Sequence, residues 1–366
     1  LWQIRHVARA LASTNADLQV ELVPIMTAGD RELDKPLAGI GGKGLFIKEL
    51  EVALMEDRAD IAVHSMKDVP VEIPSGLHIP AILKREDPRD VLLAREGGSL
   101  AELPAGACVG TSSLRRKSQL LAARGDLDVR DLRGNVPTRM KKLLDGPFDA
   151  IVLAAAGLVR LGLMDDRYRL IETEVVLPAV GQGAIGVECR RGDAAVERLI
   201  GRLNDETTAL CVRAERSMNL RLGGNCNVPV AGYASIDGND LILVGLVAEV
   251  DGRRVVRHTA SGPPHQAERI GDDVVGDRAG WGMAPVEKKR RLAAHAQRAG
   301  VDDEIAATLP IIESKIGCAG KMIERRYMML AIHQTIQQGA GLSRIAPGEG
   351  RFRQKERCLG VCARHR

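Results

Sequence analysis

Residues 107–154 read ACVGTSSLRRKSQLLAARGDLDVRDLRGNVPTRMKKLLDGPFDAIVLA, and their rhythm decides the fold class. Ala107–Gly110 is a short apolar strand pattern, and a helix starts at Ser113. Leu127–Leu132 is a second strand, Pro137 suits the first turn of a second helix, and Phe148–Ala154 is a third strand. Strands separated by helices give a mostly parallel sheet with helices on both faces.

The same alternation extends toward the start of the chain. Trp2, Ile4, Val7 and Leu11 mark a helix, and Val20–Met26 reads as a strand. Leu45–Arg58 places Phe46, Ile47, Leu50, Ala53 and Leu54 at helical spacing before an apolar strand at Ala59–Val63. Downstream, Val175–Glu188 is strand-like around Gly181-Gln182-Gly183, and Thr207–Leu222 is a helix. Strand patterns resume at Val228–Ala234, Leu241–Val250 and Arg254–Thr259. The expectation is two α/β lobes with a small α+β third domain.

At 366 residues the chain is long for one domain, and 45% apolar with 27% charged residues excludes wholesale disorder. Aromatics are only 2%, which argues against base-stacking platforms for single-stranded nucleic acid. No apolar run reaches the roughly 20 residues of a membrane-spanning helix. The net charge of +4 is uneven: residues 266–366 carry 18 basic against 12 acidic residues, leaving 34 against 36 elsewhere. The basic character belongs to the tail. Seven cysteines without a CxxC pair read as reduced thiols in the cytoplasm.

Chemistry concentrates where strands end. Gly39-Ile-Gly-Gly-Lys-Gly44 matches GxGxxG formally, but a polar segment ending in Pro36 precedes it, so a loop presenting Lys43 to an anion is the better reading. His64-Ser-Met-Lys-Asp68 follows a buried strand, where α/β proteins place ligand-binding residues. Thr111-Ser-Ser-Leu-Arg-Arg116 joins N-cap hydroxyls to two arginines in a first helical turn, reading as an anion cradle or as simple capping with a solvated basic face. Arg133 repeats the placement after the next strand, and Arg139 lies in the following helix. Ten basic residues against five acids between 105 and 160 suggest a cleft that reads carboxylates or phosphates. Cys226 lies on a loop between a helix and a strand, and such a cysteine is usually inert. Cys358-x₃-Cys362 with His365 reads as noise, and no metal site is expected.

Taken together, GGKGLFIKELE at 41–51, ADIAVHSMKDVP at 59–70, REDPRD at 85–90, GTSSLRR at 110–116, LRGNVPTR at 132–139, LPAVGQGAIGVECR at 177–190 and the cysteine loop at 223–229 resemble the porphobilinogen deaminase family. The resemblance covers about residues 1–275. It implies an α/β fold of two periplasmic-binding-protein-like lobes, with residues 1–86 and 182–203 in lobe 1 and 87–181 in lobe 2. A cofactor-attachment α+β domain at 204–275 would follow. It also implies a transferase of porphyrin and heme biosynthesis that joins four porphobilinogen units into hydroxymethylbilane on a covalent dipyrromethane primer. By the same resemblance Cys226 anchors the primer and Asp68 is catalytic. Lys67, Thr111, Ser112, Ser113, Arg115, Arg116, Arg133, Arg139 and Gln182 would bind cofactor, with Arg160, Lys43, Ser65 and His64 on the substrate side. The expected partner is porphobilinogen alone, with no nucleic acid or membrane, acting on a cytoplasmic monomer. The competing reading is a two-lobed anion-binding module, which needs neither Cys226 nor Asp68.

Three departures stand out. Gly39 and Asn225 differ from the family's usual residues, and the family's opening strand with its Arg and Ser is expected to be missing before Leu1. Residues 276–366 resemble nothing in the family, and a fused or mis-framed tail is expected there, unassigned and without order.

Overall fold

The computed structural model describes residues 2–15, 18–25, 47–223, 229–276, 281 and 360–365, the last segment as backbone only. Lys43 and Cys226 lie outside the described residues.

The chain opens with helix α1 (Trp2–Thr14), strand β1 (Val20–Ile25), helix α2 (Lys48–Met55), strand β2 (Ile61–Ser65) and strand β3 (Leu77–Ile82). A single 3-10 turn, Met66–Asp68, follows β2. The next stretch holds β4 (Asp90–Ala94), β5 (Cys108–Gly110), α3 (Leu114–Ala123), β6 (Asp128–Arg130), α4 (Val136–Asp145), β7 (Ala150–Ala154), α5 (Ala155–Leu161) and β8 (Arg169–Ile171). Then come β9 (Ile185–Arg190), α6 (Ala194–Gly201), α7 (Glu206–Leu222), β10 (Val230–Asp237), β11 (Asp240–Ala248), β12 (Val255–Gly262) and α8 (Ala267–Val275), with β13 (Gly360–His365) near the end of the chain.

These strands form three sheets, ordered β1-β13-β2-β9-β3, β6-β5-β7-β4-β8 and β10-β11-β12. In the second sheet, four of five strands run the same way: β5 pairs in parallel with β6 and β7, and β4 runs against β7 and β8. In the first, β1, β2 and β3 share one direction, while β9 and β13 oppose it. In the second sheet the helix-crossed neighbours β6, β5 and β7 pair in parallel, as the alternating sequence pattern called for, and β4 makes that sheet mixed. In the first sheet each hydrogen-bonded pair is antiparallel, because β13 and β9 lie between the strands that share a direction.

Period-two burial explains how each sheet is covered on both faces. In β4, Leu92 and Ala94 pack with Leu120 of α3, whereas Val91 and Leu93 pack with Leu143 of α4 and Leu158 of α5. In the first sheet, Ile61 packs with Val7 and Leu11 of α1 and Val196 and Ile200 of α6, while Ala62 meets Leu50, Ala53 and Leu54 of α2. Ile4, Val7 and Leu11 form the buried stripe that makes α1 a helix of this fold. The third sheet is an antiparallel meander, and Gly238 takes the left-handed conformation its two-residue hairpin loop needs (φ 57°).

Most of the tail expectation falls outside the described residues. Gly360–His365 differs from it, because these residues form ladders with β1 on one side and β2 on the other. The decaying apolar pattern gave no sign of this strand, since a ladder is made by main-chain groups that every non-proline residue carries.

Candidate active site

The site is a cleft of about 410 Å³. Its walls include Ser65 at the end of β2 and Lys67 just after it, Arg116 in α3, Asn135 and Arg139 at α4, Arg160 in α5, Gln182 and Gly183 before β9, and Trp2 and Gln3 of α1. The first two sheets therefore each contribute residues at or after the end of an apolar strand, where main-chain ends and short loops leave room for a ligand.

The first sheet presents the turn Met66–Asp68, which leaves Lys67 and Asp68 exposed while Met66 is buried. Ser65 Oγ accepts a 2.7 Å hydrogen bond from Gln3 Nε2, tying α1 to the cleft. His64 takes the other side of the strand. It is buried, with Nε2 2.9 Å from Glu188 Oε2, and does not join the cleft. Burial, and then Glu188, raise the carboxyl pKa of nearby Glu51, with His64 opposing.

Thr111, Ser112 and Ser113 shape the loop before α3. Thr111 Oγ1 accepts from Ser113 N at 3.2 Å, Ser112 Oγ donates to Leu132 O at 2.6 Å, and Ser113 Oγ caps the helix by accepting from Arg116 N. Capping, rather than a cradle of free hydroxyls, is the geometry observed. Asn135 caps α4 in the same way through Thr138 N, with Pro137 in the first turn.

The arginines fall into two groups. Arg115 and Arg116, each 6% exposed, converge on Asp90, which is fully buried. Arg115 Nη2 lies 2.8 Å from Asp90 Oδ2, and Arg116 Nη2 donates to Asp90 Oδ1 at 2.7 Å. Gln182 Nε2 adds a 2.9 Å bond to the same carboxylate, and Arg115 and Arg116 also donate to the carbonyls of Leu177 and Val152. Burial would raise the Asp90 pKa, but the two guanidiniums outweigh it and hold the carboxyl far below its ordinary range.

The second group has backbone partners. Arg139 Nε donates to Gly134 O at 2.6 Å, and Arg160 Nη2 donates to Gly183 O at 2.6 Å, with its guanidinium 5.7 Å from the Trp2 ring centre. Burial, then Arg116 and Arg133, push Arg139 down to about 10. Burial also lowers Arg160, against the opposing pull of Glu86. Lys67 is open to a water molecule yet ringed by protein. That loss of bulk water lowers its pKa, with Asp68 and Asp90 opposing and Arg116 and Arg115 adding to the effect. Three cations thus face the cleft in surroundings that disfavour their charge. Bound carboxylates would relieve them, which is the donor chemistry expected of a group rich in acetate and propionate.

The sequence reading placed Lys67, Ser65, Arg116, Arg139, Arg160 and Gln182 at one site, and the structure brings them together. It missed Trp2 and Gln3, and also Asp90, the buried partner of Arg115 and Arg116. An aspartate opening the otherwise apolar strand Asp90–Ala94 was the available signal, because a charge buried there needs a partner. Cys108, Cys189 and Cys211 are free and buried. Burial raises the thiol of Cys108 and pushes Cys189 up to about 12 and Cys211 up to about 11, so none is a ready nucleophile.

Among solved structures, the chain resembles the substrate-binding protein of an amino acid ABC transporter (14% identity, TM-score 0.28, covering 55% of this chain and 78% of that one). It also resembles the P235GK mutant of ArgBP from T. maritima (12%, 0.30, 55% and 76%). A third is the amino acid ABC transporter substrate-binding protein AbpA from Streptococcus pneumoniae (13%, 0.30, 55% and 75%). Among the described residues no helix is long and apolar enough to cross a membrane. Residues 1–198 match the family "Porphobilinogen deaminase, dipyromethane cofactor binding domain", and residues 209–277 match "Porphobilinogen deaminase, C-terminal domain". The two matches span the lobes that build the cleft and the domain beside them, and the chain belongs to the porphobilinogen deaminase family.

Proposed function

We propose that this chain deaminates four porphobilinogen units and joins them head-to-tail into hydroxymethylbilane, primed by a dipyrromethane held through a thioether to Cys226. The observation that carries this reading is the crowding of Lys67, Arg139 and Arg160 around one cleft, each with its charge disfavoured, beside the turn that bears Asp68. Every pyrrole in the growing chain carries an acetate and a propionate, so a chain of them offers the carboxylates these cations lack. When bound, the dipyrromethane supplies a free α-carbon as the nucleophile for the next unit.

The residues divide the work. Arg139 and Arg160 pair with carboxylates and fix the register of the ring that reacts. Arg133 continues the same cationic wall toward α4, and Lys67 supplies a compact charge next to the reacting ring. Asp68 lies beside the pyrrole N–H. Its carboxylate stabilises the positive charge that develops as ammonia leaves the aminomethyl carbon, and it relays the proton that the attacking α-carbon gives up. Gln182 and Asp90 hold the crossing between the sheets and keep Arg116 in place at the cleft wall. Lys43 and His64 are assigned by resemblance alone: Lys43 lies outside the described residues, and His64 faces away. We further propose that the protein acts as a cytoplasmic monomer with no nucleic acid or membrane partner, in keeping with three free, buried thiols.

Asp68→Asn tests the reading. The change keeps size and hydrogen bonding but removes the charge, so porphobilinogen should still bind while turnover falls by roughly 10²–10⁴-fold. Turnover within a factor of a few of the parent would move the catalytic role away from Asp68.

A further inference from the structure

The turn that carries Asp68 has one short hydrogen-bonded ring of its own, Val69 N to Met66 O at 3.3 Å, and one bond to its neighbour strand, Met66 N to Ala184 O at 3.0 Å. That is little to fix a carboxylate whose position must be held to a fraction of an ångström. The remaining support comes from helix α7, in the part of the chain beyond both lobes. Arg216 donates from Nη1 to Val69 O at 3.2 Å, and from Nη2 to Pro70 O at 2.7 Å and Val71 O at 3.0 Å. One guanidinium therefore gathers three consecutive carbonyls directly after Asp68. Its planar fork suits this task, and no other side chain has the reach and the donor number to do it.

The neighbouring residue of α7 holds the turn from the opposite side. Glu215 is fully buried and accepts from Gly181 N at 2.6 Å, from Ala234 N at 2.9 Å and from Arg85 Nη1 at 2.5 Å. Gly181 sits with φ 71° against the turn, where a Cβ would come within 2.8 Å of Met66 Cβ and 3.1 Å of Lys67 N. The Met66–Asp68 turn is thus enclosed between Gly181, which Glu215 fixes, and the carbonyls that Arg216 gathers.

We propose that Arg216 is a positioning residue for Asp68: by binding the carbonyls of Val69, Pro70 and Val71 it sets the pose of the turn from which Asp68 reaches the reacting ring. Arg216 does not line the cleft, and it acts through the backbone of the turn. The inference rests on the catalytic reading of Asp68.

The test compares Arg216→Met, Arg216→Lys, Asp68→Asn and the Arg216→Met/Asp68→Asn double variant, each in the full chain carrying its cofactor. Arg216→Met should lower kcat by roughly 10–100-fold, the scale of an ångström's misplacement, with KM for porphobilinogen and adduct content unchanged. Amide hydrogen exchange over residues 66–71 should quicken while residues 61–65 stay protected. Lysine can bind one carbonyl at a time, so Arg216→Lys should fall between the two, which keeps the proposal open to refutation if the methionine variant does not fold. The double variant should be no slower than Asp68→Asn alone. Parental kcat in Arg216→Lys together with unchanged exchange over 66–71 would overturn the proposal. So would losses that multiply in the double variant, since Arg216 would then act independently of Asp68. Parental turnover in Asp68→Asn instead defeats the catalytic reading itself, a result distinct from either.

Discussion

Two sets of arginines stand at or beside this cleft, and their surroundings differ. Arg115 and Arg116 are sealed against Asp90, with Gln182 completing the carboxylate's shell. Arg139 and Arg160 have single carbonyl partners at 2.6 Å and face the cleft, with their pKa values lowered mainly by burial. The same side chain serves as framework where a carboxylate of the chain meets it, and is free to serve as the proposed ligand site where none does. Arginine count alone therefore overstates recognition: a guanidinium already satisfied by Asp90 has fewer donors left for a pyrrole carboxylate.

The comparison breaks first at Asp90. Asp90→Asn should destabilise the protein by about 3–5 kcal/mol in chemical denaturation, because it leaves two buried guanidiniums without their counter-charge. The parent should lose this contribution on acidification. The Asp90 carboxyl is held below its ordinary value of about 4, so its stabilisation is complete above that pH and fades as pH falls toward the folded-state value. An Asp90→Asn variant as stable as its parent would show that the two arginines do not depend on Asp90.

Arg139→Leu and Arg160→Leu should do the reverse. Stability should stay close to the parent, while affinity for a pyrrole carboxylate falls by about 1.5–3 kcal/mol, roughly 10–150-fold, measured as porphobilinogen binding in the Asp68→Asn background. Loss of stability without loss of binding would place them in the framework set. A pH series sharpens the same point: burial, then Arg116 and Arg133, push Arg139 down to about 10, so carboxylate binding should weaken as pH rises through that value. Affinity that stays flat to pH 11 would remove Arg139 from the binding set. The smallest effect concerns Trp2, whose ring faces the Arg160 guanidinium. Trp2→Ala should weaken binding by only about 0.5–1 kcal/mol, two- to fivefold.

Much of this was legible in the sequence, for a physical reason. Apolar strands such as Phe148–Ala154 announce themselves by composition, and the polar clusters where such strands stop are how Lys67, Asp68 and Arg133 stood out, whereas Arg160 entered through the family resemblance. The rest needed three dimensions. His64 and Ser65 are adjacent in sequence yet take opposite faces of β2, one bound to Glu188 and the other to Gln3. Strand parity could have separated them. The pairings His64–Glu188, Arg116–Asp90 and Arg85–Glu215 join residues 124, 26 and 130 positions apart, a range at which local pattern carries no signal. The ladder of Gly360–His365 with β1 and β2 is of the same kind, since main-chain pairing leaves little mark on side-chain choice.

On the proposed function, the cations of this cleft hold a pyrrole chain rooted on Cys226. Cys108, Cys189 and Cys211 are buried, with their thiols held in the protonated form, so they should stay unmodified. The most direct measurement is mass spectrometry of the intact protein after incubation with porphobilinogen, followed by peptide mapping. The account expects an adduct of two pyrrole units, located on the peptide that contains Cys226 and on no other. An adduct on Cys108, Cys189 or Cys211, or protein that turns over substrate with no adduct at all, would contradict it.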